Sequence, residues 1–341
     1  MALFAIVGGH GAPGATVTAL AMLHAWPLQP GQRVLLAECD PDGGVILPGA
    51  LEGRLDGSRG LGQLGVADRR GQLAQTLMTQ LTDVSPSGTA DRLLLPGVSD
   101  PAQYPGLAYA WKSLTELLVG LEGQGVDVLV DLGRSGTSGP SAVLAQRADA
   151  VLVVARSTLR SLTTTHPRIS ALRADLDANG SGSDSLGLVL IEEGPYTASD
   201  VSAQMGVPVV GLLPHAPATA FVLSDGGNSH DRRFVRSPLL RASRTVIDEV
   251  RSRVARRRQR LTTPQQQFAR PAAATRPAPA PASMPMPAPG SGPLPGYGPA
   301  PAHTPGPAPA SGLFAHPMPS APIPTAAPTG ELRPQAVSHA R

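Results

Sequence analysis

The residues with the clearest chemical meaning form a glycine-rich turn near the start of the chain. The stretch AIVGGHGAPGATVTAL, residues 5–20, begins as an apolar strand, turns through several glycines and continues as the start of a helix. Backbone N–H groups at such a turn, together with the positive end of the helix dipole, bind phosphate groups. The turn therefore predicts a phosphate-binding loop, and two loop patterns fit its letters.

The first pattern is the G-x-G-x-x-G loop of dinucleotide-binding proteins, formed here by Gly9, Gly11 and Gly14. Glu38 ends the second apolar run, where such a fold places the acid that binds a ribose. Three spaced glycines are a weak signal in a chain that has 38 glycines. This pattern predicts a nicotinamide-dependent oxidoreductase, although no matching set of catalytic residues stands out.

The second pattern is the phosphate loop G-x4-G-K-[ST], with Gly9, Gly14 and Thr16 in place. Ala15 stands where this loop has a lysine, so the cation that neutralises the outer phosphates is missing. The Thr16 hydroxyl would bind Mg²⁺. Asp131 ends the apolar run DVLVDL, where a P-loop fold places its carboxylate on the Mg²⁺ side. In the absence of a ligand, Thr16 would instead cap the helix.

The elements that position these residues can be predicted from the hydrophobic pattern. Continuous apolar runs, which are typical of strands buried on both faces of a parallel sheet, occur at 5–7, 33–38, 127–132, 150–155, 186–191 and 208–213. Helices are predicted at 16–26, 72–81, 111–121, 159–176 and 237–261, and the glycine-rich stretch 43–70 is predicted to be a mobile loop that leads into a helix. The alternation predicts a doubly wound α/β domain with helices on both faces of a mostly parallel sheet. Its ligand would lie at the carboxyl ends of the strands.

Several segments resemble the MinD/ParA family of deviant P-loop ATPases. The loop GHGAPGAT (9–16) lies where the family has K-G-G-x-G-K-[ST], and VLLAECDPDGG (34–44) is similar to its D-x-D-P-x-G segment. The segment at 207–226 is similar to a late strand that flanks the base, and DVLVDLG (127–133) loosely matches the Walker B strand. The resemblance covers about residues 3–260 and implies a P-loop fold that uses ATP and Mg²⁺.

The resemblance also implies roles for individual residues. Asp40 would position the attacking water, Glu38 would take the place of an outer aspartate near the metal, and Thr16 and Asp131 would hold Mg²⁺. His10 stands where the family has a second lysine that reaches the partner's nucleotide across a dimer. The residues assigned to nucleotide binding are Gly9, His10, Gly11, Ala12, Gly14, Ala15, Thr16, Glu38 and Pro214. With both lysines replaced, we expect impaired hydrolysis.

Composition bounds the remaining alternatives. Cys39 is the single cysteine, which excludes an intrachain disulfide and fits a reducing compartment. No apolar run approaches the ~18 residues of a membrane span, and the net charge of +3 gives no general indication of nucleic-acid binding. We therefore expect a cytoplasmic protein that is at most peripheral at a membrane or the nucleoid.

The C-terminal part of the chain differs in composition from the rest. Residues 262–341 hold 21 of the 37 prolines and few large apolar side chains, so they are predicted to form a disordered tail behind a folded domain at 1–261. The tail would be a flexible tether or a docking segment for a protein partner. The preceding helix ends in the arginine-rich stretch Arg251–Arg260, predicted to be solvated, with weak contact to a membrane surface or nucleic acid as an alternative.

These observations leave three functional hypotheses. The first is a nucleotide-binding switch or adaptor that positions a cargo such as a chromosome, a septum or a pilus or secretion machine, and that forms a nucleotide-dependent homodimer. The second is a scaffold that no longer binds nucleotide. The third, remote, alternative is the oxidoreductase.

Overall fold

A computed structural model of the chain describes residues 2–9, 14–54 and 58–268, with side chains described as far as residue 261. The predicted loop residues His10, Gly11 and Ala12 lie outside the described residues. The same holds for the chain from residue 269 onward, so the disordered tail and the domain boundary at 261 stay predictions.

The described residues form one eight-stranded sheet in the order β3-β4-β2-β5-β1-β6-β7-β8. All neighbouring strands are parallel except β3 and β4. The strands are β1 Leu3–Gly8, β2 Arg33–Glu38, β3 Thr82–Asp83, β4 Arg92–Leu95, β5 Val126–Asp131, β6 Ala150–Arg156, β7 Leu186–Glu192 and β8 Val209–Pro214.

Helices connect the strands and cover both faces of the sheet. They are α1 Ala15–Ala25, α2 Leu61–Arg69, α3 Leu73–Gln80, α4 Trp111–Gly120, α5 Ala142–Gln146, α6 Leu159–Asn179, α7 Ala198–Met205, α8 Pro217–Asp225, α9 Arg232–Val235 and α10 Pro238–Phe268. Short 3-10 turns lie at Pro101–Leu107, Leu121–Gln124, Gly139–Ser141 and Ser183–Ser185.

The core consists of two apolar layers, one on each face of the sheet. Successive side chains of a strand point to opposite faces: in β1, Ala5 and Val7 enter one layer while Phe4 and Ile6 enter the other. Helices α2 to α7 contribute to the first layer, and α1 and α8 to α10 contribute to the second. The predicted doubly wound α/β fold with a mostly parallel sheet is confirmed.

The stretch 43–70 is not a loop throughout, as predicted, because helix α2 lies within it and buries Leu61 and Leu64. Several other short elements were not predicted. Strands β3 and β4 are only two and four residues long, too short to give a hydrophobic pattern. Helix α7 buries only Val201 and Met205, and it begins at a capping box formed by Thr197 and Asp200. Its helical periodicity is therefore weak, and the cap is the stronger sequence signal. The last helix runs seven residues past its predicted end at 261.

The strand order contradicts the dinucleotide-binding alternative. In the usual dinucleotide-binding order, the first and second strands are neighbours. Here β5 lies between β1 and β2, and its last residue, Asp131, is opposite Ile6 on one side and Glu38 on the other. Glu38 therefore ends a strand that does not adjoin the glycine turn, and the dinucleotide-binding fold on which the oxidoreductase alternative rests is contradicted.

The arginine-rich end of α10 is bound to the domain more than predicted. Arg258 pairs with Glu122 and with Asp149, the latter at 2.8 Å, and Arg257 pairs with Asp184 at 2.9 Å. Two further ion pairs join Arg251 to Asp127 and Arg256 to Glu249. The prediction that the arginine-rich end of α10 is solvated is therefore corrected, because Arg257 and Arg258 form ion pairs with acids elsewhere in the domain. A membrane or nucleic-acid contact stays a prediction.

Within the part of the chain that the structure describes, no helix is both long enough and apolar enough to cross a membrane.

Candidate functional site

The glycine turn leaves the sheet at the carboxyl end of β1 and is fixed there by its neighbours. The Gly8 N–H donates to the Gly133 carbonyl at 2.8 Å, and the Gly9 N–H donates to the Val154 carbonyl at 3.0 Å. These bonds reach the chain after β5 on one side and β6 on the other. The start of the turn is therefore held between the ends of β5 and β6, the two parallel strands that flank β1.

The far end of the turn requires a glycine. Gly14 has φ +136°, a conformation that side chains disfavour, and a Cβ atom there would lie 2.9 Å from Ile191 Cδ1. No side chain caps α1 at this end, so the alternative role of Thr16 as a helix cap is not observed. The first N–H groups of α1 have no partner within their helix and are available to an anion.

Asp131 is the most deeply buried acid of the site, with no exposed surface. Burial raises its pKa to about 6, while the Thr16 hydroxyl and the Gly133 N–H oppose the shift and the Asp40 carboxylate adds to it. Its Oδ1 accepts from the Gly133 N–H at 3.0 Å, whereas Oδ2 has no partner of normal hydrogen-bond geometry among the described residues. Thr16 is thus near the carboxylate without satisfying Oδ2. A buried oxygen left without a partner indicates a missing cation or water.

Asp40 lies against the same strand end. A Cβ atom on Gly133 would come within 1.7 Å of Asp40 Oδ2, so this carboxylate packs directly on a backbone that only glycine allows. Its Oδ1 accepts from the Asp42 N–H at 3.0 Å, which is the turn expected of the DPD sequence. Burial is the main factor that raises the pKa of Asp40. The structure therefore brings Asp40 and Asp131 together, as predicted from their strand ends.

Glu38 is also buried, but its carboxylate is already fully engaged. Oε1 accepts from the N–H groups of Val45 and Ile46 at 2.7 and 3.0 Å, and Oε2 accepts from the Gly97 N–H at 2.8 Å. Burial raises the pKa of Glu38 to about 7 against these three hydrogen bonds. In this arrangement Glu38 ties the loop after β2 to the turn after β4. Its predicted contact with the cofactor is not tested by this geometry.

Pro214 lies apart from this group. It ends β8, which is the third strand from β1 in the sheet. In the strand register, Pro214 pairs with Glu192 at the end of β7. The residues predicted to contact phosphate and metal therefore converge around β1, β2 and β5, while Pro214 marks the opposite side of the same sheet edge. A nucleotide that spans the two would be extended along that edge.

Two arginines near the site were missed by the sequence analysis. Arg134 is 58% exposed and lies 3.6 Å from Asp42 Oδ2. Arg168, on α6, donates from Nη2 to Thr137 Oγ1 at 2.9 Å and is close enough to Asp40 for each group to shift the pKa of the other. Arg134 follows the Walker B-like segment by one residue and could have been noticed. Arg168 is remote in the sequence and depends on how α6 packs.

The donor set fits a hydrated magnesium ion better than a metal held by protein alone. No cluster of three or more His, Cys, Asp or Glu side chains suited to a metal occurs among the described residues. Mg²⁺ prefers oxygen ligands, keeps several waters and usually takes only one or two carboxylates together with substrate phosphates. The partnerless Asp131 Oδ2 and the nearby Thr16 hydroxyl match that requirement.

Comparison with known proteins places this fold. The chain matches no protein-family model and no curated protein sequence. Among solved structures, it is similar to a ParA family ATPase from Chlorobium tepidum, with a TM-score of 0.56, 18% identity, and coverage of 73% of this chain and 98% of that one. The chain has the MinD/ParA fold.

Two archaeal MinD structures agree with this assignment. The cell division ATPase MinD of Pyrococcus furiosus gives a TM-score of 0.54 at 19% identity, covering 74% of this chain and 98% of that one. The septum site-determining protein MinD of Pyrococcus horikoshii, solved with Mg-ADP, gives a TM-score of 0.51 at 18% identity, covering 73% of this chain and 95% of that one. At such identities the likeness concerns the MinD/ParA fold alone, and it confirms the predicted architecture.

Proposed function

We propose that this chain is a MinD/ParA-type nucleotide-binding protein with impaired hydrolysis, which acts as a positioning or partitioning switch or adaptor for a cellular cargo. One observation carries the proposal. The buried, partnerless Oδ2 of Asp131 lies beside Thr16 at the glycine turn, with Asp40 against the same strand end. An oxygen pair of this kind next to an uncapped helix start suits a phosphate–magnesium complex.

The residues of the site divide the work of binding. The N–H groups at the start of α1 would receive phosphate oxygens, and Thr16 and Asp131 would hold Mg²⁺, which neutralises phosphate charge when it is bound. Asp40 would orient a water near the outer phosphate. Gly9 and Gly14 let the backbone turn closely enough for these contacts.

Hydrolysis is proposed to be slow because Ala15 supplies no cation. Charge that develops on the outer phosphate must be stabilised in the transition state, and the loss of a cation at that point costs roughly 10³-fold or more in rate in arginine-finger systems. The Ala15 methyl group is buried against Gly8. A Cβ atom on Gly8 would lie only 3.3 Å from the Ala15 Cβ. Binding depends less on this cation, since backbone donors remain.

The cargo and assembly belong to the same proposal. The names of the similar structures describe a ParA family ATPase, a cell division ATPase and a septum site-determining protein, which favours a septum as cargo. A chromosome and pilus or secretion machinery are proposed beside it without such support. We also propose that the chain forms a nucleotide-dependent homodimer and binds a protein partner through residues 262–341. Its proposed location is cytoplasmic and peripheral at a membrane or the nucleoid. Within the stretch Arg251–Arg260, Arg253 and Arg260 form no ion pair with the described residues, and a membrane or nucleic-acid contact would involve these two arginines.

The alternative is a scaffold that binds no nucleotide, and Ala15 is the feature that favours it. The two functions are separated by measuring ATP binding and phosphate release on the same full-length sample with Mg²⁺. The switch or adaptor binds ATP with turnover near background. A scaffold shows no binding, whereas rapid turnover that Asp40→Ala abolishes would contradict impaired hydrolysis.

A further inference from the structure

We propose that Arg168 provides a positive charge that binds the terminal phosphate of the nucleotide, and that Thr137 positions it. The inference rests on the proposed function, because it needs a nucleotide at the glycine turn. It adds a binding residue that reaches the site from α6, a helix about 150 residues further along the chain than the loop. The ligand chemistry is a nucleoside triphosphate rather than a diphosphate.

The packing of α6 places Arg168 at the site. Thr165, on the same helix, contacts the glycine turn so closely that a Cβ atom on Gly9 would lie 2.2 Å from Thr165 Oγ1. Residues three apart on a helix are neighbours on one face, so Arg168 follows Thr165 on the face that meets the site. Its Nη2 donates to Thr137 Oγ1, in the segment that follows Asp131 and Gly133.

The hydrogen bonds of Arg168 leave much of its guanidinium without a partner. The side chain is half-buried, its Nε is buried without a hydrogen-bond partner, and it forms no ion pair with a carboxylate of the described chain. A guanidinium has five N–H donors in a planar fork that suits phosphate oxygens. The Thr137 hydroxyl satisfies one of them and is neutral, so an anionic ligand is the missing partner.

The electrostatic surroundings point to the outer phosphate. Arg168 is near enough to Asp40 for the two to interact, and Asp40 is the acid at the strand end beside Gly133. In the proposed binding mode, a cation on this side would face the part of the nucleotide that differs between ATP and ADP. An arginine stays charged even when it is partly buried, so Arg168 can strengthen ATP binding from α6, while the loop still lacks its lysine and hydrolysis stays slow.

The other arginines around the site are weaker candidates. Arg134 is largely exposed and lies near Asp42, and Arg156 is paired with Glu193 at 2.6 Å. Both already have an acid close by. Among the described residues, the Arg168 side chain makes its one hydrogen bond to a neutral group, the Thr137 hydroxyl.

The test measures ATP and ADP affinity by calorimetry on the full-length chain with Mg²⁺. Arg168→Gln is expected to weaken ATP binding by about 10-fold or more and ADP binding by no more than about 2-fold, since one charge-assisted contact is lost. The matched control is Arg173→Gln on the same helix, where the arginine donates to the Gly206 carbonyl away from the site. This control is expected to bind both nucleotides as wild type does.

Three further variants keep the inference falsifiable if Arg168→Gln folds poorly. Arg168→Lys retains the charge and is expected to recover part of the ATP affinity. Thr137→Val removes the positioning hydrogen bond and is expected to cause a smaller loss that is again larger for ATP than for ADP. Ala15→Lys in the Arg168→Gln background restores a cation from the loop and is expected to restore ATP binding.

Each result supports or overturns the assignment. Wild-type affinity for ATP in Arg168→Gln, or an equal loss for ATP and ADP, overturns the role of Arg168 while the proposed function stands. Failure of the wild-type chain to bind either nucleotide overturns both. Thermal unfolding of each variant, compared with wild type, shows whether a loss of affinity is only a loss of fold.

Discussion

Glu38 shows how a single residue can serve the site without offering a free ligand atom. It is buried, and three backbone N–H groups donate to its carboxylate from two separate loops. Gly44 and Gly97 allow this approach, since a Cβ atom on either would lie within about 3.2 Å of Oε2. The residue therefore holds the loop after β2, which carries Asp40 at its start, in a fixed position.

Glu38 gives the first prediction, a pH dependence of stability. Burial raises its pKa from 4.5 to about 7, so the folded state binds the proton more tightly than the unfolded state does. This contribution is fully present below about pH 4.5 and is lost as the pH rises through 7, by up to about 3 kcal/mol. Glu38→Gln cannot titrate, so the stability difference between wild type and variant should shrink between pH 5 and pH 8.

Urea unfolding at the two pH values measures this difference. Glu116→Gln is the matched control, because Glu116 is exposed on α4 and its replacement should leave the pH dependence of wild type unchanged. A constant difference between wild type and Glu38→Gln at both pH values would show that Glu38 titrates normally.

The elements of the fold differ in how far the sequence predicted them. The buried parallel strands other than β4 were predicted to within one or two residues, because continuous apolar runs leave few alternatives. Asp40 and Asp131 were predicted to meet because parallel strands end at one edge. The position of Arg168 and the loop contacts of Glu38 were not predicted. They depend on how α6 and the turn after β4 pack, and no local sequence pattern encodes this packing. Loop residues 10–13 lie outside the described chain, so their assignments rest on resemblance alone.

The start of α1 gives the second prediction. Gly14→Ala should destabilise the protein by about 1–3 kcal/mol, because alanine disfavours φ +136° and its methyl group would crowd Ile191. It should also weaken nucleotide binding. Gly31→Ala is the matched control, since Gly31 also has a positive φ, +81°, but has nothing within 4 Å. Equal costs in denaturant unfolding would show that crowding at Gly14 is unimportant.

The end of α10 gives the third prediction. Arg258→Ala should lower the free energy of unfolding by only about 1 kcal/mol, because Arg258 and Glu122 are each more than one-third exposed and solvent screens the pair. The Asp149 partner is less exposed, so part of the loss should persist at high salt. Arg244→Ala, which removes an exposed pair with Asp248, should cost less. A loss for Arg258 no larger than for Arg244 would contradict docking of this helix end.

At the scale of the whole molecule, strand order decided between two nucleotide folds that the glycine loop could not separate. Gly9, Gly11 and Gly14 fit both loop patterns, and only the insertion of β5 between β1 and β2 removed one of them. Cargo and partner choice are not encoded in this architecture. They depend on surfaces and on residues 262–341, for which composition alone gives no specific chemistry.

The fourth prediction concerns assembly. If ATP acts as a switch in this fold, sedimentation of the full-length chain should shift toward a dimer with Mg²⁺ and a non-hydrolysable ATP analogue, and not with ADP. Arg168→Gln should reduce the shift, whereas Arg173→Gln should not. A chain that stays monomeric at saturating analogue would contradict the switch and favour an adaptor that binds nucleotide without dimerising.

The most direct test of the account is a calorimetric titration of ATP into the full-length protein, with Mg²⁺ and then with excess chelator. We predict saturable binding at one site per chain that weakens by about 10-fold or more without the metal, and a similar loss in Asp131→Asn with Mg²⁺ present. Binding that ignores both the metal and Asp131, or no binding under either condition, would contradict the assignment of this strand edge as a magnesium–nucleotide site.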